Sequence, residues 1–276
     1  MTVLQAVVLG LVQGITEFLP ISSIAHLRVI PALLSWPDPD AAFSAIIQLG
    51  TLAAVMVYFA TDLRTMTRAA IRGIVDGRPW ETRESRLAWY IAIGTLPIVV
   101  LGLSLKRYIV GPFRSLYVIS VSLIVLGILL WIAERTASFN RDVERLGWWD
   151  SQAIGFAQAF SLIPGSSRSG TTMTAAMFLG LTREAAARFS FLLGIPAIGG
   201  AGFYELLELI RHGLAGAGVT TLIVGIATSA VSGYLAIDLL LRYLRTRTMQ
   251  VFVWYRIGLG VLLLALLAKG VLQPMG

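Results

Sequence analysis

The sequence has no cysteine and few charged residues, and both features restrict what the protein can be. Without cysteine, its 276 residues form neither disulfides nor thiolate metal sites. Charged residues make up 13% of the chain, about half of the ~25% typical of soluble domains. Hydrophobic residues reach 57%, with a mean hydropathy of +0.79. This composition is typical of an integral membrane protein, and the lack of a long linker predicts a single domain over 1–276.

Acidic residues are also scarce, since 15 of them face 22 basic ones for a net charge of +7. The basic residues lie in loops between apolar runs rather than in one arm or stripe, so a nucleic-acid partner is not expected. They are expected to set membrane topology and to contact anionic lipid. No basic region precedes the first apolar stretch, so a cleavable signal peptide is not expected.

Uninterrupted apolar runs of about 20 residues predict six transmembrane helices. The predicted spans are Ala41–Ala60, Leu87–Leu105, Ser115–Ala133, Ala185–Tyr204, Gly213–Ile237 and Val251–Ala268. In the last span, Arg256 follows Trp254 and Tyr255, and this group is expected to anchor the helix at the membrane interface.

Two further apolar segments are interrupted at their centres. Val3–Leu34 contains Pro20 and Pro31, and Ser151–Leu181 contains "PGSSRSG". Each half is too short to cross a membrane, and broken backbone at that depth must be buried in protein or line a wet cavity. The sequence therefore predicts an all-α polytopic membrane protein with six transmembrane helices and two re-entrant helical hairpins.

The basic loops predict the orientation, because cytoplasmic loops carry an excess of arginine and lysine. Three arginine-rich connections, 61–86, 134–150 and the link after Ile237, all fall on one face if there are six spans. That face is expected to be cytoplasmic.

An internal repeat is visible in the two interrupted segments. "LPISS" at 19–23 resembles "IPGSS" at 163–167, and "FSAIIQLG" from Phe43 resembles "FSFLLGIP" from Phe189. Repeat halves of about 1–135 and 150–276 would each hold one hairpin and three spans. Because three is odd, the second half would be inverted, an arrangement that places polar sites where the halves meet.

The first polar cluster surrounds Pro20 and contains Gln13, Glu17, Ser22, Ser23 and His26. Gln13 and Glu17 are four residues apart and would share a helix face. A carboxylate inside a membrane is costly unless it is paired or binds a cation. Glu17 could instead cap the helix that opens after the proline. Serine, histidine and glutamate together are also the composition of a nucleophile, a base and an orienting group.

The second cluster is "PGSSRSGTT" at 164–172, which is typical of an anion-binding loop. Gly165 and Gly170 permit tight turns, and a helix starting after Gly170 would add favourable potential for an anion. Arg168 offers a planar fork suited to phosphate oxygens. Hydroxyl donors come from Ser166, Ser167, Ser169, Thr171 and Thr172. The alternative is a turn whose arginine simply pairs with Glu17.

These motifs resemble the undecaprenyl-diphosphate phosphatase family of the bacitracin-resistance type. "QGITEFLPISSIAHL" at 13–27 and "PGSSRSGTT" are similar to its two signature motifs, in the same order and over a chain of similar length. The resemblance implies hydrolysis of the terminal phosphate of undecaprenyl diphosphate, which returns the lipid carrier to peptidoglycan synthesis. It also implies a multi-pass protein of the bacterial plasma (inner) membrane, an active site that faces the outer side, and dependence on a divalent cation, Mg²⁺ or Ca²⁺. It is compatible with a homodimer.

The resemblance also assigns roles to residues. The catalytic set would be Ser23, His26, Glu17 and Arg168, with Glu17 as the metal ligand. The substrate-binding set would be Ser22, Gly165, Ser166, Ser167, Ser169, Gly170, Thr172 and Gln13. The chain departs from the family pattern at Gln13, Ile24 and Ala25, where glutamate, a small residue and glycine are usual.

Two questions stay open at this point. Ser23 is predicted to be the nucleophile with His26 as its base, but His26 could itself be the nucleophile or could activate water. A lipid or anion transporter, or a flippase, could use the same inverted-repeat architecture without cleaving anything.

Overall fold

The computed structural model describes residues 1–37, 39, 41–212 and 218–274. These residues form helices and loops, with one isolated bridge between Arg141 and Leu181. The α-helices are α1 Val3–Phe18, α2 Ser23–Leu34, α3 Ala41–Tyr58, α4 Ala60–Val75, α5 Arg83–Gly94, α6 Leu96–Ser104, α7 Lys106–Val110, α8 Leu116–Thr136, α9 Trp148–Ala159, α10 Arg168–Phe178, α11 Arg183–His212, α12 Val219–Leu244 and α13 Gln250–Ala268. Short 3₁₀ turns occur at Pro112–Arg114, Val143–Arg145 and Phe160–Leu162.

Five helical stretches are long and apolar enough to span a membrane, within the part of the chain that the structure describes. They are α8, α12, α13, most of α11, and α5 joined to α6. A sixth span is counted if α3 and α4 are taken as one broken pair, although the two are bent by 78° at their junction. The protein is therefore an all-α polytopic membrane protein, as predicted.

Three predicted boundaries were wrong. The arginine-rich stretch 61–86 is not simply a loop, since it holds α4 and the start of α5; its arginines recur at helical spacing. α11 continues through the predicted loop at 205–212. α12 begins at Val219 and continues past Ile237 to Leu244, where Arg242 pairs with Asp238 one turn away. Residues 213–217 of the predicted span lie outside the described residues.

The two interrupted segments fold in the same way. α1 leads into a break and then α2, and α9 leads into a break and then α10. The helix after each break is N-capped by a serine with positive φ, Ser22 at 72° and Ser167 at 68°. The capping hydroxyls accept hydrogen bonds from the backbone N–H groups of Ala25 and Gly170. Left-handed backbone is rare outside glycine, so this shared conformation is a strong local similarity.

The caps correct the register of the repeat by one residue. Matching "LPISS" with "IPGSS" pairs Ser23 with Ser167, but the structure makes Ser22 and Ser167 equivalent. The same offset of 145 relates Gln13 to Gln158. Ser23 and Arg168 then occupy the same position, the first residue of each helix after the break.

The first helix of each interrupted segment crosses a neighbouring helix closely, and a glycine permits each approach. A Cβ on Gly10 of α1 would lie 1.9 Å from Oγ1 of Thr228 on α12. A Cβ on Gly155 of α9 would lie 2.2 Å from the carbonyl oxygen of Gly94 on α5. Gly10 and Gly155 are again 145 residues apart. Equivalent positions of α1 and α9 therefore make the close contacts with neighbouring helices.

Candidate active site

Glu17 is the centre of the polar cluster, and three side chains from different elements converge on it. It lies in the last turn of α1 and is 6% exposed. Its Oε1 accepts from Nη2 of Arg168 at 2.8 Å. Its Oε2 accepts from Oγ of Ser23 at 2.7 Å and from Nε2 of Gln13 at 2.7 Å. The structure thus brings together the first motif and the arginine of the second.

Arg168 is held against α11 in a position that only glycine permits. A Cβ on Gly194 would lie 1.4 Å from Nη1 of Arg168, so any side chain there would displace the guanidinium. One amino group, Nη2, binds Glu17. The other, Nη1, is buried and has no hydrogen-bond partner among the described residues. The pairing of Arg168 with Glu17, which the sequence suggested as an alternative, is therefore observed. It leaves Nη1 of Arg168 available to donate hydrogen bonds to another group.

Two helix N-termini meet at this carboxylate. α2 begins at Ser23 and α10 begins at Arg168, and both residues hydrogen-bond to Glu17. The expectation that the second helix would start after Gly170 was wrong, because Ser167 caps it earlier. Each N-terminus carries a positive partial charge and backbone N–H groups without intrahelical partners. Together with Arg168 they make this region suited to an anion.

Among the remaining residues of the second motif, Ser169 and Thr172 make structural hydrogen bonds, and Ser166 has a hydroxyl without a described partner. Ser169 donates to the carbonyl oxygens of Glu17 and Leu19, which ties α10 to the end of α1. Thr172 hydrogen-bonds to the Arg168 carbonyl and shares a hydrogen bond of 2.6 Å with Ser190 on α11. The hydroxyl of Ser166 is buried and without a described partner.

Gly165 and Gly170 were both predicted to permit turns, but only Gly165 lies in a turn, since Gly170 is inside α10. Both glycines are nevertheless required sterically. Gly165 has φ of +94°, and a Cβ there would lie 2.5 Å from the carbonyl oxygen of Ile119. A Cβ on Gly170 would lie 2.5 Å from Nη1 of Arg256. Ala25 lies inside α2 and is not among the residues with positive φ, so the backbone there does not require the glycine that is usual in the family.

His26 lies in the first turn of α2 but has other partners than Ser23. Its Nδ1 lies 2.7 Å from the Ser22 carbonyl oxygen, so Nδ1 carries the proton and donates. Its Nε2 lies 2.6 Å from Oη of Tyr255 on α13, and the two rings are nearly parallel. Among the described hydrogen bonds, the Ser23 hydroxyl goes to Glu17 and none joins it to His26. The pairing of Ser23 with His26 as base stays a prediction.

Arg256 is the residue that sequence reasoning misjudged. It is 0% exposed and is not an interfacial anchor. Its Nη1 donates to the Pro20 carbonyl at 2.9 Å, and its Nη2 donates to the Gly165 and Ser166 carbonyls at 3.1 and 2.9 Å. One side chain thus holds the backbone of both breaks. Its occurrence as a lone charge inside an apolar run was the available signal.

The chain offers few oxygen ligands for a divalent cation. No group of three or more His, Asp or Glu side chains suited to a metal occurs among the described residues. Glu17 supplies one carboxylate, and Oε1 of Gln13 is buried without a described partner. Carboxylate and carbonyl oxygens are ligands that Mg²⁺ and Ca²⁺ prefer, so these two fit part of a shell that needs six or more oxygens.

Comparison with known proteins shows the family of the chain. The chain matches the family described as "Bacitracin resistance protein BacA" over residues 6–262. It is 54% identical over 275 residues to a protein of Myxococcus xanthus named undecaprenyl-diphosphatase, covering 100% of this chain and 92% of the relative. Proteins with the same name from Chlorobium phaeobacteroides (strain BS1) and Chloroherpeton thalassium are each 51% identical, and both alignments cover 99% of this chain and 100% and 99% of the relatives. With both motifs joined in one buried cluster and the match extending over nearly its whole length, the chain belongs to the bacitracin resistance protein BacA family.

Proposed function

We propose that this protein hydrolyses undecaprenyl diphosphate to undecaprenyl phosphate and inorganic phosphate, which recycles the lipid carrier of cell-wall synthesis. The observation that carries the proposal is the cluster of Ser23, Glu17 and Arg168, where a hydroxyl, a carboxylate and a guanidinium meet at two helix N-termini. A nucleophile next to a phosphate-binding fork is the arrangement that phosphoryl transfer needs.

The proposed setting is the bacterial plasma membrane, with six transmembrane helices and α1–α2 and α9–α10 as two re-entrant hairpins in an inverted repeat. The shared caps, the offset of 145 residues and the matched glycine crossings support the repeat. The three arginine-rich connections support the assignment of the cytoplasmic face to the side of the membrane where α3 meets α4. The site would then open to the opposite, outer side. The prenyl tail would stay in the bilayer. A homodimer is compatible with this arrangement.

Substrate binding would use the electropositive side of the cluster. Nη1 of Arg168 and the N–H groups at the starts of α2 and α10 would bind phosphate oxygens. Ser166 offers a further buried hydroxyl, which has no hydrogen-bond partner among the described residues. Ser22 and Ser167 would support the site by capping α2 and α10, and Gly165 by turning the backbone. Ser169, Gly170 and Thr172 would support it through the packing of α10 against its neighbours.

Glu17 would repel the substrate unless its charge is balanced. We therefore propose a divalent cation held by Glu17 and Gln13, with substrate oxygens and water as the other ligands. When bound, such a cation would offset phosphate charge. Because glutamine replaces a second glutamate at position 13, the chain itself contributes a single negative charge.

In the first chemical step, Oγ of Ser23 would attack the terminal phosphorus. Its proton is proposed to pass to Oε2 of Glu17, which lies 2.7 Å away, instead of to His26, the base predicted from the sequence. The bond from the terminal phosphorus to the bridging oxygen would break, and undecaprenyl phosphate would leave with that electron pair. Arg168 would stabilise the charge that builds up on the oxygens.

In the second step, water would attack the phosphoserine. The lone pair of His26 is on Nε2, because Nδ1–H donates to the Ser22 carbonyl, and this lone pair accepts the Tyr255 hydroxyl. Water would pass a proton to Nε2 through that hydroxyl, the bond from phosphorus to Oγ would break so that inorganic phosphate leaves, and Ser23 would regain its proton from Glu17. His26 would then release its proton to solvent. The rival route is direct attack by water or by His26, with no phosphoserine.

The test is phosphate release from a polyprenyl diphosphate by purified protein in detergent, where no compartments exist between which a transporter could move lipid. We expect metal-dependent release that chelator abolishes, and at least hundredfold losses for Ser23→Ala and Arg168→Ala. Trapping of radiolabelled phosphate on Ser23 would support the covalent route, and near-full activity of Ser23→Ala would exclude it. Well-folded protein that binds substrate and releases no phosphate would favour the transporter, for which the diphosphatase names of the relatives give no support.

A further inference from the structure

Helix α4, outside the candidate site, has an unusual distribution of charge. It follows α3 after the bend of 78°, so it does not continue along the direction of that helix. Arg64, Arg68 and Arg72 occur at every fourth position and therefore form one stripe along α4. All three are exposed.

These three arginines lack the carboxylate partners that several other exposed arginines have. In the described part of the chain, no ion pair or side-chain hydrogen bond involves Arg64, Arg68 or Arg72. Four exposed arginines elsewhere pair with carboxylates, in Arg78–Glu81, Arg83–Glu144, Arg242–Asp238 and Arg245–Glu184. The stripe is thus a set of three positive charges that the protein does not balance within ion-pair distance.

A second, apolar stripe runs beside the arginines. Ile71, Ile74 and Val75 are 55%, 58% and 78% exposed. The side of α4 that packs on the protein is a different one, where Met66 is buried and Gly73 lies close to Pro79. Helix α4 therefore presents one packed face, one exposed apolar face and one cationic face.

We propose that α4 lies in the headgroup layer of the bilayer and binds anionic phospholipid. The apolar stripe would enter the boundary of the acyl chains, and the arginine stripe would bind the phosphates of the headgroups. An amphipathic helix that combines aliphatic and basic stripes binds membranes through both contributions. Charge complementarity favours a lipid surface over an apolar protein partner, because three unpaired arginines would be costly to bury in a protein interface.

A free anion is a poorer occupant than a lipid surface. The cleft of about 370 Å³ next to α4 is lined by Arg68 and Arg72, but also by Asp76 and Glu84. These acidic groups offset the positive charge inside the cleft. Arg64 does not line this cleft, and among the described residues Arg68 and Arg72 form no ion pair with its acidic groups, so the stripe as a whole suits a layer of many phosphates.

The first experiment is site-specific fluorescent labelling, which is straightforward because the sequence contains no cysteine. Single substitutions Ile74→Cys and Thr65→Cys place an environment-sensitive fluorophore on the apolar side and on the arginine side of α4 in the reconstituted full-length protein. We expect a quencher carried on lipid chains to quench the label at 74 strongly and the label at 65 weakly. Equal, water-like behaviour of both labels would overturn the proposal.

The second experiment measures how many phosphatidylglycerol and phosphatidylcholine molecules the purified protein retains in native mass spectrometry. Each basic residue near an anionic surface strengthens binding about fivefold, so R64Q/R68Q/R72Q is expected to lower the preference for phosphatidylglycerol by on the order of tenfold to a hundredfold. The matched control R78Q/R242Q/R245Q removes the same charge from arginines that already have carboxylate partners. Little change in the control supports the proposal, and equal losses in both variants, or none in either, would overturn it. Unchanged phosphate release in detergent shows that the triple variant is folded.

Discussion

Arg256 donates a hydrogen bond of 2.9 Å from Nη1 to the carbonyl oxygen of Pro20, and this contact joins the last helix to the break in the first hairpin. The same guanidinium holds the second break through Gly165 and Ser166. Both breaks expose carbonyl groups that a helix would otherwise satisfy. The planar guanidinium of arginine has five N–H donors and can bind several of these carbonyls at once. The compact ammonium of a lysine cannot.

We therefore expect Arg256→Lys to lose most activity and to destabilise the protein by about 2–4 kcal/mol, since hydrogen bonds to buried carbonyls are lost while the charge stays buried. Phosphate release and thermal unfolding in detergent measure both effects. Arg188→Lys is the control, because Arg188 is partly exposed and pairs with Asp62. Unfolding of Arg256→Lys at the wild-type temperature would contradict the role of Arg256 as a clamp.

Tyr255 is expected to matter for turnover and little for stability. Its hydroxyl donates to Nε2 of His26 and so orients the imidazole. Tyr255→Phe keeps the ring and removes one hydrogen bond, so kcat should fall about fivefold to tenfold with KM nearly unchanged. Steady-state kinetics checks this. Tyr234→Phe, on the exposed side of α12, should behave as wild type, and equal kinetics for both variants would show that Tyr255 does not act through His26.

Gly194→Ala should displace the guanidinium of Arg168. The added Cβ would overlap Nη1, while alanine itself favours the helix. We expect KM for the diphosphate to rise about tenfold through loss of a charge-assisted hydrogen bond. In Gly200→Ala, on the same helix, the Cβ meets open space and kinetics should not change. Wild-type KM in Gly194→Ala would mean that Arg168 does not hold the substrate from its observed position.

Gly155→Ala tests the close packing of α9 against α5. Its Cβ would lie 2.2 Å from the Gly94 carbonyl oxygen, so the helices must separate, at a cost of about 1–3 kcal/mol. Gly258→Ala on α13 meets no atom within 4 Å and should stabilise by about 0.5–1 kcal/mol. Thermal unfolding compares the two variants. A stabilising effect of Gly155→Ala would show that the crossing is loose.

The sequence predicted those parts of the molecule that leave a local pattern. Long apolar runs indicated the spans, and Pro20 and a glycine-rich loop indicated the breaks. Pro31 was a wrong indication, since it lies inside α2. Glu17, Ser23 and Arg168 were recognisable because ionisable side chains inside apolar sequence require an explanation. Their mutual contacts depend on two helix ends meeting, which the repeat suggested and the structure describes.

Other features leave no such pattern. The partners of Arg256 are backbone carbonyls, which any residue carries, so its neighbours Trp254 and Tyr255 suggested an interfacial role instead. Helix α4 was not predicted, because its arginines offset its aliphatic residues when hydropathy is averaged along the sequence. The register of the repeat was off by one because the letters match at Ser23, whereas the conformation that defines the cap occurs at Ser22.

The equivalence of Ser23 and Arg168 has a consequence for how such a molecule can be divided. One backbone position carries the proposed nucleophilic hydroxyl in the first half of the chain and a guanidinium in the second. Under the proposed mechanism, two copies of the first half would supply two such hydroxyls and no Arg168, and two copies of the second would supply two guanidinium groups and no Ser23. The proposed site therefore needs one copy of each half, and neither half could be replaced by a duplicate of the other.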